Sequence, residues 1–113
     1  MKIEAYSFGN IVIEGRSYTS DVIVYPDRVD DTWWRDEGHS LQVSDIQDIL
    51  DARPDLLIVG TGFSGRMQIA PPVEDELRKH GIELIAKPTG EAWKTYNEVQ
   101  ASRKTVAALH LTC

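Results

Sequence analysis

The segment from residue 43 to residue 112 alternates apolar runs of strand length with helical patterns, and this alternation constrains the fold more than any other feature. The runs are LLIV at 56–59, IELIA at 82–86 and TVAALHLT at 105–112. LLIV has no polar alternation, as expected for a strand that is covered on both faces. Strands that are separated by helices imply βαβ units, and hence a mainly parallel sheet with helices on its faces.

Three helices are predicted in the same segment, over 43–54, 71–81 and 89–102. The first has capping-box spacing between Ser44 and Gln47. The second is the clearest, because two prolines begin it, acids fill its first turn, basic residues fill its last turn and a glycine follows it. The third places its apolar residues on one stripe. These lengths and boundaries are typical of helices that pack on a sheet.

The amino-terminal part favours antiparallel pairing. Two strands, about 11–14 and 18–25, are rich in β-branched and aromatic residues and are joined near Gly15, which suits a turn. The following polar stretch, 26–40, has no periodicity and is predicted to be a long surface loop. With 113 residues the chain suffices for one domain and is too short for two. We therefore expect a single α/β domain over 1–113.

Composition excludes several classes of protein. The net charge is −6 and no basic stripe is present, which argues against a nucleic-acid partner. No apolar run approaches the ~20 residues that a membrane helix requires, and the start lacks the apolar core of a signal peptide. The single cysteine fits a reducing compartment, so a cytoplasmic location is expected. The three histidines stand far apart, so neither a metal nor another cofactor is expected.

The glycines after LLIV raise the question of a nucleotide site. Gly60-x-Gly62-x-x-Gly65 follows a strand, which meets half of the dinucleotide-binding fingerprint. The other half fails, because Pro71 and Pro72 prevent a helix from starting at Gly62. The spacing instead favours a turn that lets chains pass closely. Counted around Ser64, a G-x-S-x-G elbow would also need glycine where Arg66 stands.

A small anion is a more plausible ligand, because ligands of open α/β sheets settle beyond the carboxyl ends of the strands. Backbone N–H groups, hydroxyls and cations are available there. The alternative is that the same groups only cap strand ends and helix starts. The predicted pocket comprises Thr61, Gly62, Arg66, Lys87, Thr89 and Asn97.

The loop TWWRDEGHS, at 32–40, contains two tryptophans in a polar context. Adjacent side chains in an irregular segment diverge, so one of Trp33 and Trp34 is expected to face the core and the other solvent. Together with Arg35 and His39 they form either a partner-binding surface or a lid on the core. His110, in the last strand, is interpreted as a hydrogen-bonded core histidine.

Two hypotheses of function follow. The first is a binding or regulatory module without chemistry, acting through the tryptophan loop on a protein partner. The second is a small-molecule site at the strand ends, in which Cys113 and His39 could form a nucleophile and base if the fold joins them. A terminal residue is often frayed, so the first hypothesis is favoured.

The chain also resembles the adipogenesis-associated Mth-type domain family, which is related to a mitochondrial assembly factor of respiratory complex I. The similarity covers nearly the whole chain and rests on the order of short matches. These are Phe8-Gly9, Gly15 to Tyr18, Asp21, Trp34-Arg35, Gly38 to Ser40, Gly60 to Gly62, Lys79 to Ile82, Thr89, Ala92, Tyr96-Asn97, and His110-x-Thr112-Cys113.

This resemblance implies a compact three-layer α/β fold around a mixed central sheet. It also implies that no enzymatic activity is established, and that the glycine turn is not an accepted nucleotide site. We therefore expect a non-enzymatic binding, regulatory or assembly-assisting module, with an anion-binding protein or enzyme as the alternative.

Overall fold

The computed structural model describes the whole chain, residues 1–113, as one α/β domain. Its elements in chain order are β1 (Ile3–Ser7), β2 (Asn10–Ile13), β3 (Arg16–Tyr18), β4 (Val22–Val24), β5 (Val29–Asp30), β6 (Ser40–Leu41), a 3₁₀ turn (Val43–Ile46), α1 (Gln47–Ala52), β7 (Leu56–Thr61), β8 (Gln68–Ile69), α2 (Pro71–Lys79), β9 (Glu83–Lys87), α3 (Thr89–Val99) and β10 (Thr105–His110).

The central sheet has five strands in the order β5-β4-β10-β7-β9. β7 lies between β10 and β9 and is parallel to both, whereas β4 and β5 add an antiparallel flank. Every residue of β7 and of β10 is buried, which explains why neither run alternates with polar residues. The predicted mixed sheet with buried central strands is confirmed.

The two helical crossovers lie on opposite faces of this sheet. α2 carries the chain from β7 out to β9, and α3 carries it back past β7 to β10. Since parallel crossovers are right-handed, opposite directions along the sheet require opposite faces. Val73 and Leu77 of α2 accordingly belong to one apolar cluster, the α2-side core, and Ala92 and Tyr96 of α3 to another, the α3-side core.

A three-stranded antiparallel sheet, β1-β2-β3, completes the layer that contains α3. Ile3, Ile11 and Ile13 are fully buried in the α3-side core. The Asn97 side chain ties β1 to α3, because its oxygen accepts the N–H of Ile3 at 3.0 Å and its amide donates to the Ile3 carbonyl at 2.6 Å. The three layers expected from the resemblance are therefore present.

Two sequence expectations are wrong in detail. The strand expected over 18–25 is divided, since β3 ends at Tyr18 and β4 begins at Val22 in a different sheet. The helix expected over 43–54 begins as a 3₁₀ turn and becomes α-helical only at Gln47. Ser44 does not cap it; instead the Asp45 carboxylate accepts the N–H of Gln42 at 2.7 Å.

Candidate functional site

A buried charged cluster of Asp21, Arg35 and His110 lies where β10 ends and β4 begins. Oδ2 of Asp21 lies 2.9 Å from Nη2 of Arg35 and 2.8 Å from Nδ1 of His110, and Oδ1 accepts the N–H of Leu111 at 2.7 Å. The Arg35 and His110 side chains are only 5% and 7% exposed. Antiparallel pairing of β4 with β10 sets Asp21 beside His110, and the loop before β6 supplies the arginine.

The contacts determine which nitrogen of His110 carries a proton. Nδ1 lies 2.8 Å from Asp21 Oδ2 and 3.0 Å from Arg35 Nη2. An ionised carboxylate only accepts and a guanidinium only donates. Asp21 can receive hydrogen bonds from both neighbours if Nδ1 carries the proton, so the contact of Nδ1 with Arg35 is not a hydrogen bond. The Nε2 atom of His110 is then left buried without a partner, as is Nε of Arg35.

Asp21 is held in its ionised form. Burial acts to raise its pKa, but the hydrogen bonds from His110 and Leu111 and the charges of His110 and Arg35 outweigh burial, so the pKa lies below its ordinary value. The pKa of Tyr6 is raised, first by burial and then by the negative charge of Asp21. The Tyr6 hydroxyl donates a hydrogen bond to the Leu111 carbonyl at 2.8 Å. The cluster is thus an ionised carboxylate that is paired with the Arg35 guanidinium and the His110 ring.

The tryptophan loop is anchored to this cluster. Trp33 donates from Nε1 to the Asp45 carbonyl at 3.0 Å and packs against the α2-side core, and the guanidinium of Arg35 lies 4.6 Å from its ring. Trp34 is 76% exposed. The expected divergence of the two tryptophans is confirmed. His39 is exposed, with its carbonyl accepting the N–H of Gln68 at 2.7 Å.

The glycine turn allows a close passage of chains, as expected. Gly62 has a positive φ of 106°, and a Cβ there would lie 2.5 Å from the Thr112 carbonyl oxygen. A Cβ on Gly60 would lie 2.7 Å from Oγ1 of Thr89. Both positions therefore exclude side chains for reasons of packing. Helix α2 begins only at Pro71, in agreement with the position of the prolines.

The residues of the predicted anion pocket are only partly brought together. The Gly62 N–H donates to the Thr89 hydroxyl at 2.9 Å, and that hydroxyl donates to the His110 carbonyl at 2.6 Å. These two residues thus cap the strand ends, which is the alternative interpretation. Asn97 binds β1 instead. The anion pocket itself, with Thr61, Arg66 and Lys87 as its other members, stays a prediction.

Two other candidate features of the sequence are a pair of Cys113 with His39 and a metal site. Cys113 and His39 are both exposed and share no hydrogen bond, so a nucleophile–base pair stays a prediction. No group of three or more His, Cys, Asp or Glu side chains is arranged to hold a metal ion. No helix has both the length and the apolar character that crossing a membrane requires.

Sequence reasoning does not find two features of this region. Asp21 carries no chemical signal of its own, because only strand register shows that it meets His110. Phe8 and Phe63 form an exposed edge-to-face pair with ring centroids 5.6 Å apart, and Tyr6 lies 6.4 Å from Phe63. Phe63 lies within the glycine turn and Phe8 lies in the turn between β1 and β2, so no local pattern joins them.

Fold and site together define a small three-layer α/β domain with a buried Asp–Arg–His cluster at the end of its central strand. The chain belongs to the family described as Protein of unknown function (DUF498/DUF598), whose model matches residues 3–110. It is similar over 100% of both chains to the conserved hypothetical protein PH1505 from Pyrococcus horikoshii OT3, with 30% identity and a TM-score of 0.87.

Two further solved structures are similar to this chain. A protein named MT938 is 25% identical, with a TM-score of 0.80 and 99% of this chain and 98% of that chain covered. A Bordetella pertussis protein that is described as a Mth938-like domain shares the fold at 22% identity and a TM-score of 0.65, with 97% and 85% covered. The family match and the similarity to MT938 confirm the domain family expected from the resemblance, while its link to adipogenesis and to complex I assembly stays a prediction.

Proposed function

We propose that the protein is a non-enzymatic binding module that docks a protein partner through Trp34. The observation that carries the proposal is an exposed tryptophan between two neighbours that are both fixed. Trp33 is held by Asp45 and the α2-side core, and Arg35 is held by Asp21. An unanchored loop would have to lose conformational freedom on binding, whereas this one is already ordered.

The surroundings of Trp34 indicate the chemistry of the partner. A surface hollow of about 260 Å³ lies beside it, and its lining includes Asp30, Asp45 and Asp48 but no lysine or arginine. An aromatic face beside carboxylates suits a lysine or arginine side chain, which can stack on the ring and pair with the acids. Tryptophan is also enriched among the residues that dominate binding energy. The expected partner therefore presents a basic segment.

The test compares Trp34→Ala with Trp33→Ala. Trp34→Ala should change the free energy of unfolding by less than about 1 kcal/mol, because the ring is exposed. Trp33→Ala should cost about 3 kcal/mol, because its ring packs on the core. Trp34→Ala should also abolish capture of partners from cell extract, and raising the salt concentration should weaken capture by the unchanged protein.

Phe8→Ala is the matched control, since it removes another exposed aromatic ring and should leave capture unchanged. The proposal fails if Trp34→Ala costs as much stability as Trp33→Ala, or if the variant retains the same partners. An assembly-assisting role, which the resemblance implied, would be one form of such partner binding.

An anion site is the alternative that the strand ends still support. Arg66 and Lys87 form no ion pair with a carboxylate, and Nζ of Lys87 donates to Oγ1 of Thr95 at 3.3 Å. The chain neighbours of the two cations are close together, because a Cβ on Gly65 would lie 3.2 Å from the ring of Pro88. Sulfate should then raise the melting temperature more than chloride does at equal ionic strength. Arg66→Gln should remove the difference; an unchanged sulfate effect in that variant would place the anion elsewhere.

A further inference from the structure

The outer edge of β9 is a sheet edge that no other part of the chain covers. β9 is the last strand of the central sheet and pairs only with β7. It has five residues, contains neither proline nor a bulge, and its Leu84 and Ile85 are half-buried while Ala86 is exposed. Such an edge is a template for pairing with another strand. At the opposite edge, β5 has only two residues.

The hydrogen-bond pattern shows which backbone groups are free. The Glu83 N–H donates to the Asp55 carbonyl at 3.0 Å, towards β7. Because backbone groups of alternate residues point to opposite sides of a strand, Ile85 and Lys87 also face β7. The N–H and C=O groups of Leu84 and Ala86 therefore point outward, where an added strand could bond to them.

The charges of β9 are complementary to those of a second β9 that runs antiparallel to it. The strand reads Glu83-Leu84-Ile85-Ala86-Lys87, with opposite charges at its two ends. If Ile85 lies opposite Ile85 of a second copy, Glu83 of each copy lies opposite Lys87 of the other. In the same register Leu84 lies opposite Ala86, so the outward N–H and C=O groups form hydrogen-bonded pairs. Charge match and backbone pattern thus select one register.

We propose that two copies of this chain associate through β9 and join their central sheets into one ten-stranded antiparallel-paired sheet. The contact has two-fold symmetry, as most homodimers do. On one face the two Ile85 side chains meet at a pair that is not hydrogen-bonded, where side chains approach most closely. On the other face the small Ala86 leaves room for Leu84 of the second copy.

Charged residues at a sheet edge commonly prevent association, but Glu83 and Lys87 do not have that effect in the centred register. A charged side chain on an edge strand prevents pairing when the residue opposite it on the added strand is apolar or has a charge of the same sign. In the centred antiparallel register each charge meets the opposite sign, whereas a shift of two residues leaves charges unmatched. These two side chains therefore select the register of the pair. Glu83 also contacts Arg103 at 3.0 Å, and since both side chains are exposed, this pair does not prevent exchange of partners.

The experiment measures mass against concentration by sedimentation equilibrium. The chain has a mass of 12.7 kDa, and the expected result is a rise towards twice this value as the concentration increases. Glu83→Lys or Lys87→Glu alone places like charges opposite each other at two symmetric positions. Each single variant should weaken association about tenfold or more. The double variant Glu83→Lys with Lys87→Glu restores opposite charges and should recover most of the loss.

A second variant tests the backbone pairing itself. Ala86→Pro removes an outward N–H without removing a bond to β7, which is the position where an edge strand tolerates proline. It should remain folded by circular dichroism and be monomeric. Lys2→Glu, an exposed charge reversal on the segment before β1, is the control and should associate like the unchanged protein.

The proposal is overturned if the unchanged protein stays at 12.7 kDa up to millimolar concentration. It is also overturned if a dimer forms that the single charge reversals leave intact, or if the double variant is no stronger than either single variant. Should Ala86→Pro fail to fold, the three charge variants decide alone. None of these outcomes depends on Trp34, so the binding proposal stands or falls separately.

Discussion

At the scale of single residues, Asp21 is the side chain on which the candidate site depends. Its carboxylate satisfies Arg35, His110 and the N–H of Leu111 at once. Asp21→Asn keeps the shape but leaves a buried guanidinium without a counter-charge, so near neutral pH we expect a loss of about 3 kcal/mol in the free energy of unfolding. Asp75→Asn breaks an exposed pair with Arg78 and should cost less than about 1 kcal/mol. Urea melts of both variants give the comparison.

The pH dependence of the same variant has a definite sign. The pKa of Asp21 is lowered from its ordinary value of 3.8 in the folded protein, so its contribution is fully present above that value and is lost as the pH falls through the folded pKa. The stability difference between the unchanged protein and Asp21→Asn should therefore shrink below about pH 4. A difference that persists undiminished at pH 2 would show that the carboxylate charge is not its source.

The composition of this cluster shows where residue-level inference from sequence stops. His110 is recognisable as a buried, bonded histidine because it lies in an apolar strand. Asp21 and Arg35 lie 89 and 75 residues from it in the chain. Only the register of β4 on β10 and the course of an irregular loop bring them together, and neither has a periodic signature. A sequence pattern can therefore identify one member of such a cluster without its partners.

At the scale of elements, length decides which expectations hold. β7 and β10 have six residues each and α2 has nine, so their apolar patterns and end signals are unambiguous. β5, β6 and β8 have two residues each, too few to show a period of any kind. The division between β3 and β4 escapes prediction for another reason. β3 has no β-branched residue and β4 consists only of them, but the change of sheet between the two strands depends on contacts that form only in the folded chain.

The sequence predicts the glycine turn correctly, because it excludes a helix that starts at Gly62. The two prolines that begin α2 rule out a helix at Gly62. The structure explains Gly62 by the passage of residues 112 and 113, and Gly60 by the side chain of Thr89. What sequence cannot show is the hydroxyl of Thr89, which bridges the Gly62 N–H and the His110 carbonyl. This bridge joins the ends of β7 and β10 to the start of α3, and it positions Phe63 at the surface.

At the scale of the whole molecule, the two cores share their central strands. β10 gives Val106 and Ala108 to the α2-side core and Ala107 and Leu109 to the α3-side core. β7 divides its side chains between the cores in the same way. Neither core can therefore lose its packing while the other keeps an intact sheet, and the chain should unfold in a single cooperative transition.

Two reporters test this cooperativity, because Trp33 packs against the α2-side core and Trp93 against the α3-side core. A variant that retains only one of these tryptophans, with the others changed to Phe, reports on one face. In each variant the fluorescence and far-ultraviolet circular dichroism midpoints in urea should coincide. Leu77→Ala, a cavity in the α2-side core worth about 3 kcal/mol, should lower the midpoint by the same amount for both reporters. If Leu77→Ala lowers the midpoint reported by Trp33 and leaves the midpoint reported by Trp93 unchanged, the two faces unfold separately and the shared strands do not couple them.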